Sequence, residues 1–154
     1  SAASDVYKRQ GVWRAVDRHL EDFVDAVNDC TEGRGVDVVL DNVGGPYVAR
    51  NLAAMAMGAR HVSLSFLQGA RIELDLQVLM RKNLSLTSST LRPKSHAEKA
   101  RLAVCIRSRF LPWLASGLVR PQVHALLPLA QAADAHRLLE ANANVGKVVL
   151  TVAE

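Results

Sequence analysis

Apolar side chains recur along the chain in two spacings, one typical of helices and one typical of strands, and the two alternate. Residues 21–30 carry apolar positions at helical spacing, with acids in the first turn, which predicts a helix. Residues 35–41 form a β-branched apolar run that predicts a mostly buried strand. After a turn at 42–46, a second apolar stripe predicts a helix over 47–57, and alternation predicts a strand over 60–66.

A short helix within 74–80 and a third strand over 83–90 are predicted next. Helices that alternate with strands in this order are typical of a parallel α/β sheet, because the helices connect parallel strands. In such sheets ligands bind beyond the carboxyl ends of the strands. The topology therefore predicts a binding site at the segments that follow the three strands, residues 42–45, 65–67 and 88–90.

The helix that comes next has a well-marked start. Ser95 and Glu98 fit a capping box, in which each side chain satisfies a backbone N–H of the other residue. We expect Pro112 to kink this helix and Gly117 to end it. Its apolar positions predict a buried stripe of Ala103, Ile106, Phe110, Trp113 and Leu114. The remaining segments are predicted as an extended stretch, a helix and a strand, over residues 118–123, 129–140 and 146–152.

Composition excludes several classes of protein. The chain has 154 residues, of which 49% are hydrophobic and 22% charged, and this balance excludes a disordered chain. No apolar run approaches the roughly 18–20 residues of a membrane span, so we predict no membrane partner. The two cysteines, Cys30 and Cys105, cannot form a disulfide framework, which favours a cytoplasmic location. The sequence has no CxxC or HExxH spacing, which argues against a metal site.

The net charge of +4 comes from a local excess of basic residues between residues 77 and 133, where Glu98 is the only acid. Such a stretch can bind phosphate or nucleic acid, and the alternative is a solvated helix surface. Aromatic residues, which stack on bases in single-stranded nucleic-acid sites, make up only 5% of the chain. We therefore predict no nucleic-acid partner.

The glycine-rich phosphate loop of a dinucleotide site is not present in this sequence. No G-x-G-x-x-G occurs, and Gly44 and Gly45 form the only double glycine. Pro46 follows them and has no N–H to offer a phosphate. We interpret the two glycines as a turn that lets the backbone pass close to a ligand, not as a pyrophosphate loop.

Five segments, taken in order, carry a family resemblance. They are residues 33–45 (GRGVDVVLDNVGG), 63–70 (SLSFLQGA), 84–92 (LSLTSSTLR), 127–136 (LPLAQAADAH) and 144–150 (NVGKVVL). Together they resemble the zinc-free quinone oxidoreductases of the medium-chain dehydrogenase/reductase superfamily, whose zeta-crystallin-like members use NADPH. The resemblance implies the C-terminal half of a two-domain enzyme, with an A-x-x-G-G-V-G loop and a GroES-like catalytic domain upstream.

The resemblance also implies domain boundaries. Residues 11–122 are expected to form the rest of a Rossmann NADP-binding domain, and residues 123–154 to return to the catalytic domain. Residues 1–10 do not match the family and resemble a non-native scar. Because the family's phosphate loop and substrate pocket lie upstream, we expect no catalytic residue in this chain and no activity of the chain alone.

Cofactor contacts implied by the resemblance fall at the strand ends that topology predicts, together with one position near each terminus. The implied cofactor-binding residues are Arg18, Val43, Gly44, Gly45, Leu64, Ser65, Phe66, Leu67, Ser89, Thr90, Leu91 and Asn144. For Ser65 and Ser89 the alternative is a serine that ends a strand, and for Asn144 it is an ordinary loop cap. Arg18, where family members often carry Tyr or His, either pairs with the 2′-phosphate of NADPH or remains a solvated charge.

The activity implied by the resemblance is hydride transfer from NADPH to a quinone or a similar electron-poor alkene or carbonyl, without a metal. The superfamily often dimerises through its sixth strand, which implies a homodimer formed through residues 84–90. The alternative is a non-catalytic, truncated Rossmann module that acts through this sheet edge or through its basic surface.

Overall fold

In the computed structural model, which describes residues 8, 11–141 and 144–152, helices and parallel strands alternate as the sequence predicts. The proposed scar at residues 1–10 lies outside the described residues except for residue 8. The chain divides into two units, Val16–Lys99 and a second unit that combines Ser1–Ala15 with Ala100–Glu154. Across the described residues, every helix is too short or too polar to span a bilayer.

The unit Val16–Lys99 is built on a three-stranded sheet. Its elements are α1 (Phe23–Cys30), β1 (Val36–Asp41), α2 (Tyr47–Ala54), β2 (Met55–Ser63), α3 (Leu76–Lys82) and β3 (Ser85–Ser88). The strands lie in the order β1–β2–β3, and both pairs are parallel. This arrangement confirms the predicted α/β class with crossover helices.

The second unit contains a two-stranded sheet. Its elements are most of α4 (His96–Arg109), then α5 (Leu111–Ala115), β4 (Val123–Pro128), a 3₁₀ turn (Leu129–Gln131), α6 (Ala132–Glu140) and β5 (Lys147–Thr151). Strands β4 and β5 are parallel and joined through α6. The helix and the last strand agree with the prediction, whereas of the stretch predicted as extended, residues 118–123, only Val123 belongs to a strand.

The core of the first unit lies around β2. Leu52 of α2 and Met55, Ala56 and Ala59 of β2 are its buried members. Side chains from β1, β3 and the α3 region pack against them, namely Val39, Leu74, Val78, Leu79, Leu84 and Leu86. Burial of this apolar cluster holds the three strands in one sheet.

Helix α2 is shorter than predicted, since it ends at Ala54 and β2 starts at Met55, not at residue 60. Met55 is already extended, with φ −84° and ψ 143°, and pairs with Val36 of β1. This pairing brings the backbone so close to Gly35 that a Cβ there would lie 2.6 Å from the Ala54 carbonyl oxygen. Sheet pairing therefore overrides the helix propensity of the Ala and Met residues at the end of the helix.

Strand β1 is not mostly buried, contrary to the prediction. Val38 is 49% exposed and Leu40 is 66% exposed, so one face of this strand is open in the described chain. On the opposite face Val39 packs against the core. The β-branched run thus identifies a strand correctly but does not show how many faces are covered.

Helix α4 starts with the predicted capping box. The Ser95 N–H donates to Glu98 Oε2 at 3.1 Å, and the Glu98 N–H donates to Ser95 Oγ at 3.2 Å. Pro112 does not kink this helix, because α4 ends at Arg109 and Pro112 lies in the first turn of the separate helix α5. Proline is compatible with a first helical turn, where no intrahelical N–H is required.

The stripe predicted as buried along this helix is exposed. Ala103, Ile106, Phe110, Trp113 and Leu114 are all exposed, and α4 and α5 contain no buried residue. The apolar spacing is present, but the described residues of the chain do not cover it. Phe110 and Trp113 contact each other edge to face, with ring centroids 5.2 Å apart.

Lys82 differs from the rest of the basic stretch. Its side chain is partly buried, and its Nζ donates to the carbonyl oxygens of Leu52, Ala53 and Met55 at 3.2, 2.8 and 2.8 Å. These carbonyls lie at the C-terminal end of α2, where helical carbonyls lack partners and a cation is favourable. Lys82 therefore ties the end of α3 to the end of α2.

Candidate cofactor-binding site

The three strands of the first unit end level with one another. In the register of the sheet, Asp41 of β1 is opposite Ser63 of β2, and Ser63 is opposite Ser88 of β3. The carboxyl ends of the strands therefore form one edge. The segments that leave this edge are the ones that topology predicts as the binding site.

Backbone hydrogen bonds continue past the ends of β1 and β2 and join the two following segments, which we call the first loop (residues 42–45) and the second loop (residues 64–69). The Leu64 N–H donates to the Asp41 carbonyl at 2.7 Å, and the Gln68 N–H donates to the Val43 carbonyl at 2.8 Å. Beyond β3, the Ser89 N–H donates to the Ser63 carbonyl at 3.0 Å. These bonds hold all three strand ends together.

The amide groups of the first loop are engaged within the protein. The N–H groups of Val43 and Gly44 donate to Asp41 Oδ1 at 2.7 and 3.0 Å. The Gly45 N–H donates to the Gly69 carbonyl at 2.9 Å. A phosphate cradle needs free N–H groups, so this loop lacks the donors of a pyrophosphate loop.

Both glycines of this loop have left-handed backbone angles, with φ of 67° at Gly44 and 53° at Gly45. A Cβ on Gly44 would lie 2.8 Å from the Gly69 carbonyl oxygen, and one on Gly45 would overlap the Gln68 carbonyl oxygen. The close approach that these glycines permit is thus to the second loop of the same chain. This differs from our interpretation of the sequence, which assigned the approach to a ligand.

Three polar side chains are buried behind the first loop. Asp41 is 4% exposed, Asn51 8% and His61 1%. His61 Nε2 lies 3.3 Å from Asp41 Oδ2 and also 3.3 Å from Asn51 Nδ2. Within the described ranges, Asp41 Oδ2 has no hydrogen-bond partner. The carboxylate therefore uses one oxygen for the loop and turns the other toward the imidazole.

A cavity of about 210 Å³ lies at this edge of the sheet. Its lining includes the buried imidazole of His61, hydroxyls at the ends of β2 and β3, and apolar groups of the second loop and the residues after it. The lining residues are Gly45, Val48, His61, Ser63, Phe66, Gly69, Ala70, Ile72, Leu86, Thr87 and Ser88. A concave, mostly apolar site with a few polar groups suits a small organic ligand.

Most of the predicted contact residues lie in the joined loops. They are Val43, Gly44, Gly45, Leu64, Ser65, Phe66 and Leu67, whereas Ser89, Thr90 and Leu91 follow the end of β3. Large apolar side chains here are open to solvent, among them Leu67, which is 80% exposed. The Ser65 hydroxyl donates to the Asn42 carbonyl at 2.5 Å. Its proton is therefore used in a hydrogen bond between the two loops.

The two other predicted residues have local contacts only. Arg18 is exposed in the first unit, and its Nε lies 3.4 Å from His19 Nε2. Asn144 belongs to the second unit and donates from Nδ2 to the Gly146 carbonyl at 2.8 Å. This bond is that of a loop cap, the alternative considered from the sequence.

Asp41 and His61 were not predicted as members of the site. In the sequence alone no partner for His61 is apparent, which favours a structural role for this side chain. Its partner follows from the register, in which Val39 is opposite His61 and Asp41 opposite Ser63. Since strand side chains alternate between faces, Asp41 and His61 fall on one face. An acid and a histidine at neighbouring strand ends were the available signal.

The described residues contain no cluster of three or more histidine, cysteine, aspartate or glutamate side chains that could hold a metal ion. Cys30 lies in α1 and Cys105 in α4, and both are of intermediate exposure. These side chains do not fit a zinc site, which needs three or four such ligands around one ion.

The sequence pattern of the zinc-binding dehydrogenase family matches residues 10–150. Lovastatin diketide synthase lovF of Aspergillus terreus is 29% identical over 136 residues, which is 85% of this chain and 5% of that protein.

Solved structures with a similar fold include two oxidoreductases. A quinone oxidoreductase of Pseudomonas syringae pv. Tomato DC3000 superposes with a TM-score of 0.80 at 26% identity, over 97% of this chain and 46% of that one. An NAD-dependent alcohol dehydrogenase superposes with a TM-score of 0.78 at 31% identity, over 97% of this chain and 41% of that one. The chain thus spans less than half the length of these relatives.

Proposed function

The chain belongs to the zinc-binding dehydrogenase family, and we propose on that premise that it is part of an oxidoreductase that uses NADPH to reduce a quinone or a similar electron-poor alkene or carbonyl. The observation that carries the proposal is the level edge at Asp41, Ser63 and Ser88, with the following loops joined by hydrogen bonds. A quinone oxidoreductase among the similar structures supports a quinone as acceptor.

The first and second loops fit the uncharged nicotinamide and ribose part of the cofactor better than its phosphates. The N–H groups of Val43, Gly44 and Gly45 already donate within the chain, and the Asp41 carboxylate lies behind them. A negative charge at that place disfavours a phosphate. We therefore assign the phosphates to residues outside these loops.

When bound, the nicotinamide supplies the hydride, and the protein contributes binding, orientation and exclusion of water. We assign orientation to the backbone of the two loops. Leu64, Phe66 and Leu67 are exposed apolar residues at the same edge, and a flat ring packed on them would be shielded from water. No residue of this chain is assigned to proton transfer or to zinc.

Titration of the purified chain with NADPH tests this assignment, with nicotinamide fluorescence as the readout. We expect saturable binding that is weakened several-fold by Phe66→Ala, since this substitution removes apolar contact area. Leu126→Ala in β4 of the second unit removes a similarly exposed apolar side chain and is the matched control. Saturable binding that Phe66→Ala and Leu126→Ala leave equally unchanged would contradict the site, and no binding would contradict the function.

Arg18 is proposed to pair with the 2′-phosphate that distinguishes NADPH from NADH. The support is its exposed guanidinium in the first unit, which can form two hydrogen bonds to a phosphate. Arg18→Ala should weaken NADPH binding and leave NADH binding unchanged, whereas the exposed Arg81→Ala should change neither. Equal effects of Arg18→Ala on both nucleotides would refute this pairing.

The second candidate function is that of a non-catalytic module that forms a homodimer through strand β3. In the described sheet β3 is an edge strand, so its outer backbone groups can pair with another strand. Light scattering should show that the wild-type chain is a dimer. Ser85→Lys, at an exposed position of β3, should make it a monomer, whereas the control Ser116→Lys, also at an exposed position, should leave it a dimer. A monomer at all concentrations would refute this candidate.

A further inference from the structure

The only buried polar side chains among the described residues, Asp41, Asn51 and His61, form one cluster directly behind the first loop. Burial of a carboxylate is unfavourable unless nearby donors compensate for its lost hydration. Such a group persists where its hydrogen bonds fix a particular geometry.

We propose that Asp41 and His61 are positioning residues of the cofactor site, which set the shape of the first loop without touching the cofactor. This inference rests on the proposed function for the identity of the ligand. Asp41 shapes the loop directly, and His61 holds Asp41 in place. In a phosphate cradle the loop N–H groups are free to bind the ligand. Here they bind Asp41 instead, and the loop is held in a preformed turn.

The bonds of Asp41 Oδ1 define that turn. The N–H groups of Val43 and Gly44 both converge on this one oxygen, at 2.7 and 3.0 Å. Hydrogen bonds to a charged acceptor are stronger than those between neutral groups. They turn Gly44 and Gly45 into the left-handed angles that let the loop pack against the second loop.

The second oxygen explains the role of His61. Asp41 Oδ2 lies 3.3 Å from His61 Nε2 and has no hydrogen-bond partner in the described part of the chain. A proton on Nε2 gives this oxygen a donor after a small movement. Asn51 can face that N–H with its amide oxygen, since a half-turn of the amide exchanges its oxygen and nitrogen.

His61 also connects the loop to the cavity, because its ring forms part of the lining together with Gly45. Loss of the imidazole would leave the carboxylate buried without that neighbour. The carboxylate would then be free to rotate away from the loop. The effect of His61 on ligand binding is therefore expected to act through Asp41.

Two pairs of variants separate the hydrogen bond from the side-chain volume. Asp41→Ala removes the acceptor, whereas Asp41→Asn keeps an oxygen in the same place. His61→Leu removes the donor, whereas His61→Gln keeps an N–H. Asp75→Ala is the matched control, because Asp75 also accepts a backbone N–H, from Gln77 at 2.8 Å, but at the start of α3.

Amide hydrogen exchange measured by NMR reports the loop without any ligand. In the wild-type chain, the Val43 and Gly44 amides should be protected. Asp41→Ala should increase their exchange by about tenfold or more, the loss expected for a charged hydrogen bond. Asp41→Asn should restore most of the protection, and Asp75→Ala should leave it unchanged. Unprotected amides in the wild type overturn the inference whether or not the variants fold.

NADPH titration of the same proteins reports the ligand. Asp41→Ala and His61→Leu should raise the Kd by about tenfold, with rescue by Asn and Gln and no effect of Asp75→Ala. Equal affinity for Asp41→Ala and Asp75→Ala would overturn the positioning role. Absence of NADPH binding by the wild type would overturn the proposed function, while the exchange rates still decide whether Asp41 holds the loop.

Discussion

The two units of the chain have similar hydrophobic patterns but very different interiors. Val16–Lys99 buries Leu52, Met55, Ala56 and Ala59 around the central strand of its sheet. In the described residues from 100 onward, Ala135 is the only buried one. A periodic apolar pattern therefore predicts an element correctly without showing that anything covers it.

This contrast has an energetic meaning. A two-stranded sheet with one helix provides little buried apolar area, and such small assemblies are marginal by themselves. The first unit, by contrast, has three strands with helices packed on them, so that its central strand is covered. We therefore expect the first unit to carry most of the stability of the chain, and four experiments test or refine this expectation.

The largest effect is expected from removal of a core side chain. Leu52→Ala should lower the free energy of unfolding by about 2–5 kcal/mol, because it leaves a cavity in the packed cluster. Leu126→Ala in β4, where the side chain is exposed, should cost less than about 0.5 kcal/mol. Urea denaturation measures both. Equal costs would show that the second unit has a core of its own.

A glycine comparison comes next in size. Gly45→Ala combines a left-handed backbone angle with overlap of the Gln68 carbonyl and should cost about 2–4 kcal/mol. Gly58 also has a left-handed backbone angle, φ 72°, but has open space around it, so a Cβ there meets no steric overlap. Gly58→Ala should therefore lower the free energy of unfolding only by the backbone cost, about 1–2 kcal/mol. If the two variants unfold at the same urea concentration, contact between the loops contributes nothing to stability.

A smaller effect is expected at Lys82. Lys82→Met keeps the aliphatic length but removes the donor to three carbonyls, and it should cost about 1–3 kcal/mol. Lys99→Met is the control, because Lys99 is exposed and donates to one carbonyl, that of Arg92. It should cost less than about 0.5 kcal/mol by thermal or urea unfolding. A larger loss at Lys99 would reverse the ranking.

The smallest effect depends on pH and concerns the start of α4. Hydrogen bonds from the Ser95 backbone N–H, then from its hydroxyl, and the charge of Lys94 hold the pKa of Glu98 below its usual value. A carboxyl whose pKa is lowered by folding stabilises the folded state above its ordinary pKa. This contribution is lost as the pH falls through the lower, folded value.

Exchange of the Ser95 amide checks the capping box directly. We expect the protection factor of this amide, which compares its exchange with the intrinsic rate at the same pH, to fall on acidification into that range, and to be lower in Glu98→Ala at neutral pH. Glu98→Gln should give an intermediate rate, since it keeps an acceptor but not the charge. The first turn of α4 has no buried residue. A protection factor of the Ser95 amide that does not change with pH would therefore mean that contacts other than the capping box hold this turn.

Local signals in the sequence were sufficient for most of the fold. The capping box at Ser95 and Glu98, the acids before α1 and the alternation in β3 each act within a few residues, and the structure confirms the elements they predict. The α/β class with parallel strands is likewise confirmed. The domain boundary at 122/123 stays a prediction, because the division of the structure at residue 99 describes contacts within this chain alone.

Features set by distant contacts could not be predicted. The end of α2 depends on the pairing of Met55 with Val36, and helix propensity contains no information about that pairing. The roles of Gly44 and Gly45 depend on a loop more than twenty residues away. Asp41 and His61 become partners only through the register of two strands, which the sequence does not specify.

The three hydrogen bonds of Lys82 have a chemical consequence. A primary amine reacts with acylating reagents only when it is unprotonated and accessible, and this ammonium is partly buried while donating to three carbonyls. Lys82 should therefore be labelled slowly in the native chain, and the exposed Lys99 quickly. The ratio of the Lys82 labelling rate to the Lys99 labelling rate should rise when the first unit unfolds. Lys82 therefore serves as an internal reporter of unfolding.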